Sequence, residues 1–158
     1  MLAALLFGVY ALFSNVLYLE FVTITIILYA INIPKWDSLI IVSVFVLLIW
    51  LCYGISPWSA MYMVIYPLFA LVLKLLSKQL KKSIYLIAFF AFFMALCAGN
   101  LIDLPFLLLS REVTIMYFLI GIKTTLVQGG LAFIEVLILY EPLSQQFIKL
   151  IEKGDIYV

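Results

Sequence analysis

The polar side chains that could do chemistry are few, and the densest group lies in one apolar stretch of the C-terminal half. Thr124, Gln128 and Glu135 are spaced four and seven residues apart, which places them within about 40° of one another on a helix. Lys123 lies next to this stripe. Polar groups are costly against lipid and therefore face a bundle interior or a cavity. The pattern predicts a solute site with a cationic group or, alternatively, structural hydrogen bonds and a lysine paired with a nearby carboxylate.

Two further groups could complete such a site. Trp58 and Tyr62 lie one helical turn apart, and Asn100 lies near the end of a different apolar run. Aromatic rings can stack on a planar ligand, or they can form a belt at the headgroup level of a bilayer. We expect a solute site lined by Trp58, Tyr62, Asn100, Lys123 and Gln128, with the aromatic belt as the alternative interpretation of the two rings.

Small residues mark one face of the first apolar run. Ala4, Gly8 and Ala11 follow one another at spacings of four and three residues. Small side chains let another helix approach closely, which favours helix packing in lipid. The stripe predicts either a docking face for a partner subunit or an internal helix crossing.

The amino-acid composition indicates which class of protein contains these residues. Of the 158 residues, 68% are hydrophobic and 11% are charged, and the mean hydropathy is +1.32. A soluble domain has about a quarter of its residues charged, so a soluble fold is excluded. The net charge of +1 and the absence of histidine argue against nucleic-acid binding, a His-based triad or a Cys/His zinc site. We expect no metal, no cofactor and no enzymatic activity in this chain.

Apolar runs separated by polar residues predict an all-α integral membrane protein with six transmembrane helices in one compact bundle. A span needs about 20 apolar residues, and a single helix over residues 2–33 would be about 48 Å long. A break near Glu20 is therefore expected, although five spans, or a signal peptide over 2–19, are alternatives. The predicted spans of this single domain cover residues 2–19, 21–33, 39–53, 60–76, 83–102 and 114–140, with an amphipathic tail over 143–158.

The basic residues predict the orientation of the bundle. Lysine and arginine collect in short cytoplasmic loops. With six spans and both termini in the cytoplasm, every basic residue except Arg111 and Lys123 lies on or near the inner side. The predicted location is a bacterial cell membrane, crossed several times.

Several of these segments resemble the substrate-binding (S) components of energy-coupling-factor vitamin transporters, of the hydroxymethylpyrimidine type. The stretch from Tyr117 through Lys123 and Gln128-Gly129-Gly130 to Leu143 is similar to their last helix. The stretch 53–59, Tyr-Gly-Ile-Ser-Pro-Trp-Ser, followed by Met61, resembles their entry to span four. These segments cover about a third of the chain.

The resemblance implies that solute binding and ATP hydrolysis occur in different subunits. Such a component binds a small planar vitamin or precursor, similar to hydroxymethylpyrimidine or pyridoxine, near the outer face. It associates with a transmembrane coupling subunit and two cytoplasmic ATPases, which hydrolyse ATP. Ala4 and Gly8 stand where the family has an Ala-x-x-x-Ala docking motif, and Thr125 and Gln128 partly replace the family's usual polar pair.

A second hypothesis is a scaffold without transport activity, similar to the MreD-like rod-shape membrane proteins. Such a chain would use its intramembrane polar residues only for packing. The two hypotheses differ in ligand content, because only the first requires a bound small molecule.

Overall fold

A computed structural model of the chain describes residues 1–13, 21–34 and 36–153. These residues form six α-helices and one 3₁₀ helix and contain no strand, which confirms the all-α prediction for this part of the chain. A 3₁₀ helix, Leu104–Leu108, joins the last two α-helices. The α-helices are α1 (Leu2–Phe13), α2 (Phe21–Asn32), α3 (Asp37–Tyr53), α4 (Pro57–Leu80), α5 (Ile84–Leu101) and α6 (Arg111–Glu152).

Three helical segments, Pro57–Leu80, Ile84–Leu108 and Arg111–Glu152, are long and apolar enough to cross a membrane. The helices α1, α2 and α3 are apolar but shorter. With 12 residues each, α1 and α2 extend about 18 Å, against a hydrocarbon core of about 30 Å. The end of the predicted first span and the break near Glu20 lie outside the described residues. The chain therefore has the helices of a membrane protein, and the number of spans stays a prediction.

The helices α1 and α2 are separate and antiparallel. The Tyr29 hydroxyl of α2 donates a hydrogen bond to the Leu2 carbonyl of α1, with 3.4 Å between the oxygens. At the other end of the pair, the Phe13 and Phe21 rings pack with centroids 4.5 Å apart. One helix through residues 2–33 could not make both contacts, so that alternative is excluded.

The later helices continue the antiparallel alternation of α1 and α2, so the bundle has two distinct ends. The Lys74 ammonium of α4 donates to the Ile33 carbonyl just after α2, and Lys81 lines a cavity with Ile148 of α6. We call this the lysine end, marked by Lys74, Lys78, Lys81 and Lys82. We call the opposite end the aromatic end, marked by Trp58, Phe106 and Tyr117.

The short helix α2 forms the centre of the bundle. It contacts each of the other five α-helices, and Ile26, Ile27 and Ala30 are completely buried. Near its end, Tyr29 is 1% exposed and stacks on Phe147 of α6 at 5.3 Å between ring centroids. The shortest predicted span is thus the one most enclosed by the rest of the chain.

The helix α6 is continuous where the sequence predicts a span ending at Tyr140 and a separate tail. It runs through Pro142 as far as Glu152, although a proline inside a helix removes one backbone hydrogen bond. Phe147, on the apolar face of the predicted tail, is buried against α2. The first part of that tail therefore packs on the chain itself, and burial of its apolar face compensates for the proline.

The turn between α3 and α4 positions the first aromatic residue of the predicted site. Gly54 has a φ of +82°, which side chains with a Cβ rarely adopt. The Ser56 and Ser59 side chains form a reciprocal capping box at the start of α4, which satisfies free backbone N–H groups there. The Trp50 indole donates to the Ser59 carbonyl at 2.7 Å. This network holds the first turn of α4, and with it Trp58, in place.

The interface between α5 and α6, which we call the α5–α6 seam, is the closest helix approach. A Cβ on Gly99 would lie 2.1 Å from Thr125 Cγ2. A Cβ on Gly129 would lie 3.0 Å from a Phe92 ring atom and 3.1 Å from the Phe92 carbonyl oxygen. Small residues at these positions let the two helices pack closely.

Candidate functional site

Three aromatic rings from three different elements meet at the aromatic end. Trp58 belongs to α4, Phe106 to the 3₁₀ helix and Tyr117 to α6. The Phe106 ring lies 5.1 Å from both the Trp58 and the Tyr117 ring, between centroids. Trp58 and Tyr117 meet edge to face at 6.2 Å. The apolar loop over 104–109 thus covers the other two rings rather than lying apart from the bundle.

A buried carboxylate adjoins these rings. Asp103 is 8% exposed, and its Oδ1 accepts a hydrogen bond from the Trp58 indole nitrogen at 3.1 Å. A Cβ on Gly121 would lie 3.8 Å from the Asp103 Oδ2, an ordinary van der Waals distance, so α6 passes beside the carboxylate at this position. Asp103 is therefore hydrogen-bonded to Trp58, whereas one interpretation of the sequence pairs Lys123 with Asp103 or Glu112.

Asn100 lies one helical turn before Asp103 and faces the α5–α6 seam. Its amide nitrogen donates to the Leu96 carbonyl at 2.6 Å and approaches Thr125 Oγ1 at 3.5 Å. Its Oδ1 is buried and accepts no hydrogen bond from the described residues. A buried acceptor without a donor costs about 1–3 kcal/mol. This buried oxygen is thus a polar atom of the predicted site that has no donor among the described residues.

The other predicted ligand residues occupy three different environments. Gln128 is half-buried, and its Oε1 lies 3.9 Å from the position of a Cβ on Gly99, which places it at the seam near Asn100. Tyr62 is half-buried and stacks on Tyr66 at 5.0 Å. Lys123 is exposed on the surface of α6. The structure therefore brings Asn100 and Gln128 to one seam, but Lys123 does not join them in the interior.

The polar stripe predicted on α6 does not coincide with the buried face of this helix. Thr125 is 3% exposed and Glu135 is 8% exposed, whereas Thr124 and Gln128 are only half-buried. The buried face is set by the close approach of α5 at Gly129. The face that the polar residues share therefore lies at the edge of the seam rather than at its centre.

The predicted docking stripe of α1 points away from the bundle over part of its length. Leu2, Ala3 and Leu6 form the buried face. Ala4 is exposed, Gly8 and Ala11 are half-buried, and a Cβ on Gly8 would meet nothing within 4 Å. No helix of the described chain crosses at Gly8, so an internal crossing does not account for the small residue there. Docking of a partner stays a prediction.

Sequence reasoning did not include Asp103, Phe106 and Tyr117 among the site residues. Asp103 interrupts an apolar run three residues after Asn100, and that spacing places both on one helical face. This pattern could have identified it. The meeting of Phe106 and Tyr117 with Trp58 depends on how the 3₁₀ helix folds back, which spacing does not encode.

No group of three or more Cys, Asp or Glu side chains gathers in residues 1–13, 21–34 and 36–153 in a way that could hold a metal ion. Comparison of the chain with protein-family models, curated proteins and solved structures finds no match. The arrangement at the aromatic end can nevertheless be assessed by its chemistry. Flat apolar rings beside a carboxylate suit a planar heterocycle that carries hydrogen-bond donors.

Proposed function

We propose that this chain is the solute-capture subunit of an energy-coupling-factor importer in a bacterial cell membrane. The observation that carries the proposal is the meeting of the Trp58, Phe106 and Tyr117 rings, of which Trp58 donates a hydrogen bond to the buried Asp103. A carboxylate in such surroundings forms strong hydrogen bonds with amino or ring N–H groups. The solute is a small planar vitamin or precursor, of the hydroxymethylpyrimidine or pyridoxine kind.

The fold brings Asn100 and Gln128 to the same α5–α6 seam, where they would form hydrogen bonds with a second edge of such a solute. The buried Asn100 Oδ1 accepts no hydrogen bond from the described residues, and a donor on the solute would satisfy it. Sites built to hydrogen-bond a ligand reject analogues that lack the matching group. Trp58 and Tyr62 supply the aromatic surface, and Lys123 is the cation at the same half of α6.

The proposed assembly places six spans in the membrane with both termini in the cytoplasm. The lysine end then faces the cytoplasm, as the positive-inside rule requires. The open small-residue stripe of Ala4, Gly8 and Ala11 docks to the transmembrane coupling subunit, and two ATPases on the cytoplasmic side hydrolyse ATP. The chain contributes binding and carries no ATPase activity or cofactor of its own.

The binding test measures the affinity of the full-length protein in lipid nanodiscs for hydroxymethylpyrimidine and for pyridoxine. We expect one of them to bind, and we expect Asp103→Ala to weaken binding by about ten- to a hundredfold, the value of a lost charge-assisted hydrogen bond. Glu112→Ala, an exposed acid in the first turn of α6, is the matched control and should bind normally. Equal affinities of the two variants would contradict the site.

The partner test is purification from the native membrane in mild detergent. Recovery of a coupling subunit and an ATPase with the chain supports the transporter. Recovery of neither, together with no small-molecule adduct in native mass spectrometry, contradicts it.

The alternative is a scaffold of the MreD-like kind, and two observations favour it. The Asp103 Oδ1 already accepts a hydrogen bond from the Trp58 indole, and Lys123 is exposed on the outer surface of α6. In a scaffold, Lys123 would pair with a carboxylate of another membrane protein. Loss of a co-purifying membrane protein in Lys123→Ala, with no change in solute binding, would favour the scaffold.

A further inference from the structure

A polar cavity lies at the lysine end of the bundle, far along α6 from the proposed solute site. Its volume is about 320 Å³, and α2, the turn after α4, α5 and α6 enclose it. Polar and apolar residues share the lining: Asn32, Lys81, Ile84, Ile87, Tyr140, Glu141, Ser144 and Ile148.

The floor of this cavity is a bonded polar cluster between α2 and α6. The Ser144 hydroxyl donates to Asn32 Oδ1 at 3.3 Å, and the Tyr140 hydroxyl lies close to both side chains. The Asn32 amide nitrogen donates to the Leu28 carbonyl at 3.0 Å. Because these groups form one polar network, the fold fixes the shape of the cavity floor and the directions of its dipoles.

The rim carries one charge of each sign. Lys81 and Glu141 both line the cavity and are both exposed. Lys78 and Lys82, which are also exposed, flank Lys81 in sequence. A ligand that satisfies the rim must present an anion to the lysine and a cation with donor hydrogens to the glutamate.

We infer that this cavity binds the headgroup of an aminophospholipid, with its phosphate at Lys81 and its primary ammonium at Glu141. Basic residues at the end of membrane helices attract lipid phosphates, and a carboxylate pairs best with an ammonium that can donate hydrogen bonds. The three isoleucines of the lining face the glycerol and the first acyl carbons. The distal glycerol of phosphatidylglycerol would offer Glu141 only neutral hydroxyl groups, and the choline headgroup has no N–H donor.

The test is native mass spectrometry of the full-length protein titrated with phosphatidylethanolamine, phosphatidylglycerol and phosphatidylcholine of identical acyl chains. We expect retention of phosphatidylethanolamine over the other two. We also expect Lys81→Gln and Glu141→Gln each to weaken that retention about fivefold, the effect of one interfacial charge. The control variants Lys82→Gln and Glu152→Gln change exposed charges outside the cavity lining and should retain the lipid normally.

Three results would overturn the inference. The first is binding of phosphatidylglycerol or phosphatidylcholine that is as tight as that of phosphatidylethanolamine. The second is a loss of lipid binding in the control variants that equals the loss in the cavity variants. The third is displacement of the lipid by an equal concentration of free phosphoethanolamine, which would make the ligand a soluble zwitterion. Solute binding at the aromatic end is measured separately, so failure here leaves the proposed function standing.

Discussion

Two stripes of small residues have opposite surroundings in this molecule. In α1, a Cβ on Gly8 would meet nothing within 4 Å, whereas in the α5–α6 seam a Cβ on Gly99 would lie 2.1 Å from Thr125. On the α5 side of the seam, Ala91 and Ala95 precede Gly99 at spacings of four and are also buried. The same spacing therefore marks a face suited to close approach, but it does not say which helix approaches it.

The difference follows from what each helix can reach. The helices α5 and α6 are consecutive, antiparallel and joined by a short 3₁₀ connection, so their small faces meet within the chain. The first helix uses its larger residues, Leu2 and Leu6, to pack on the bundle. Ala4 is thereby left exposed, and Gly8 and Ala11 are only half-buried.

The largest effect is expected for Gly129→Ala. The new methyl group would press on the backbone carbonyl of Phe92 at 3.1 Å, and because a backbone cannot rotate away, the helices must separate. Overpacking of this kind costs about 1–3 kcal/mol. Thermal unfolding in detergent should show a lower midpoint for this variant.

The matched control for that prediction is Gly130→Ala, one residue further along α6. A Cβ there meets nothing within 4 Å, and alanine is the better helix former by about 1 kcal/mol. Its midpoint should equal or exceed that of the unaltered protein. An equal drop in the unfolding midpoint of Gly129→Ala and Gly130→Ala would mean that the contact at the α5–α6 seam does not cause the loss of stability.

A smaller effect is expected for Gly99→Ala, because the group that it meets is the Thr125 side chain rather than backbone. We expect a loss of stability near the lower end of the about 1–3 kcal/mol that overpacking costs. Thr125→Ser removes Cγ2, the atom at 2.1 Å, and keeps the hydroxyl. The double variant should therefore recover most of the stability. A double variant as unstable as the sum of the two single variants would disprove direct contact.

The smallest effect on stability is expected for Gly8→Leu on α1. The side chain would extend into open space, so the midpoint should change by less than about 0.5 kcal/mol, as for other surface substitutions. Co-purification of a coupling subunit should nevertheless be lost, because the leucine blocks close approach of its helix. If the coupling subunit still co-purifies with Gly8→Leu, α1 is not the docking face.

Helix type and several boundaries were predictable from local pattern. Apolar runs broken by Gly54, Pro57 and Ser83 predict where helices end, because glycine adopts positive φ and serine caps a helix. The predicted span over 39–53 matches the end of α3 at Tyr53. The end of α6 was not predictable, because helix continuation past Pro142 depends on burial of Phe147 by α2.

The candidate site was predictable only in part. Trp58 and Asn100 are singled out by their residue type within apolar runs, and both lie beside groups of other elements in the fold. The exposure of Lys123 was not predictable, because the α5–α6 seam sets the rotation of α6. Seam geometry depends on contacts between residues that are about 30 positions apart.

The sequence by itself determined that this chain is helical and apolar, because composition and the positions of its breakers require nothing beyond local preference. It also determined which end of the bundle collects lysine. Only the tertiary structure decided which faces are buried, that Asp103 meets Trp58, and that Lys81 and Glu141 share a cavity. Those features arise from packing between distant segments, where the best-fitting faces bury one another and local periodicity alone cannot select the partner.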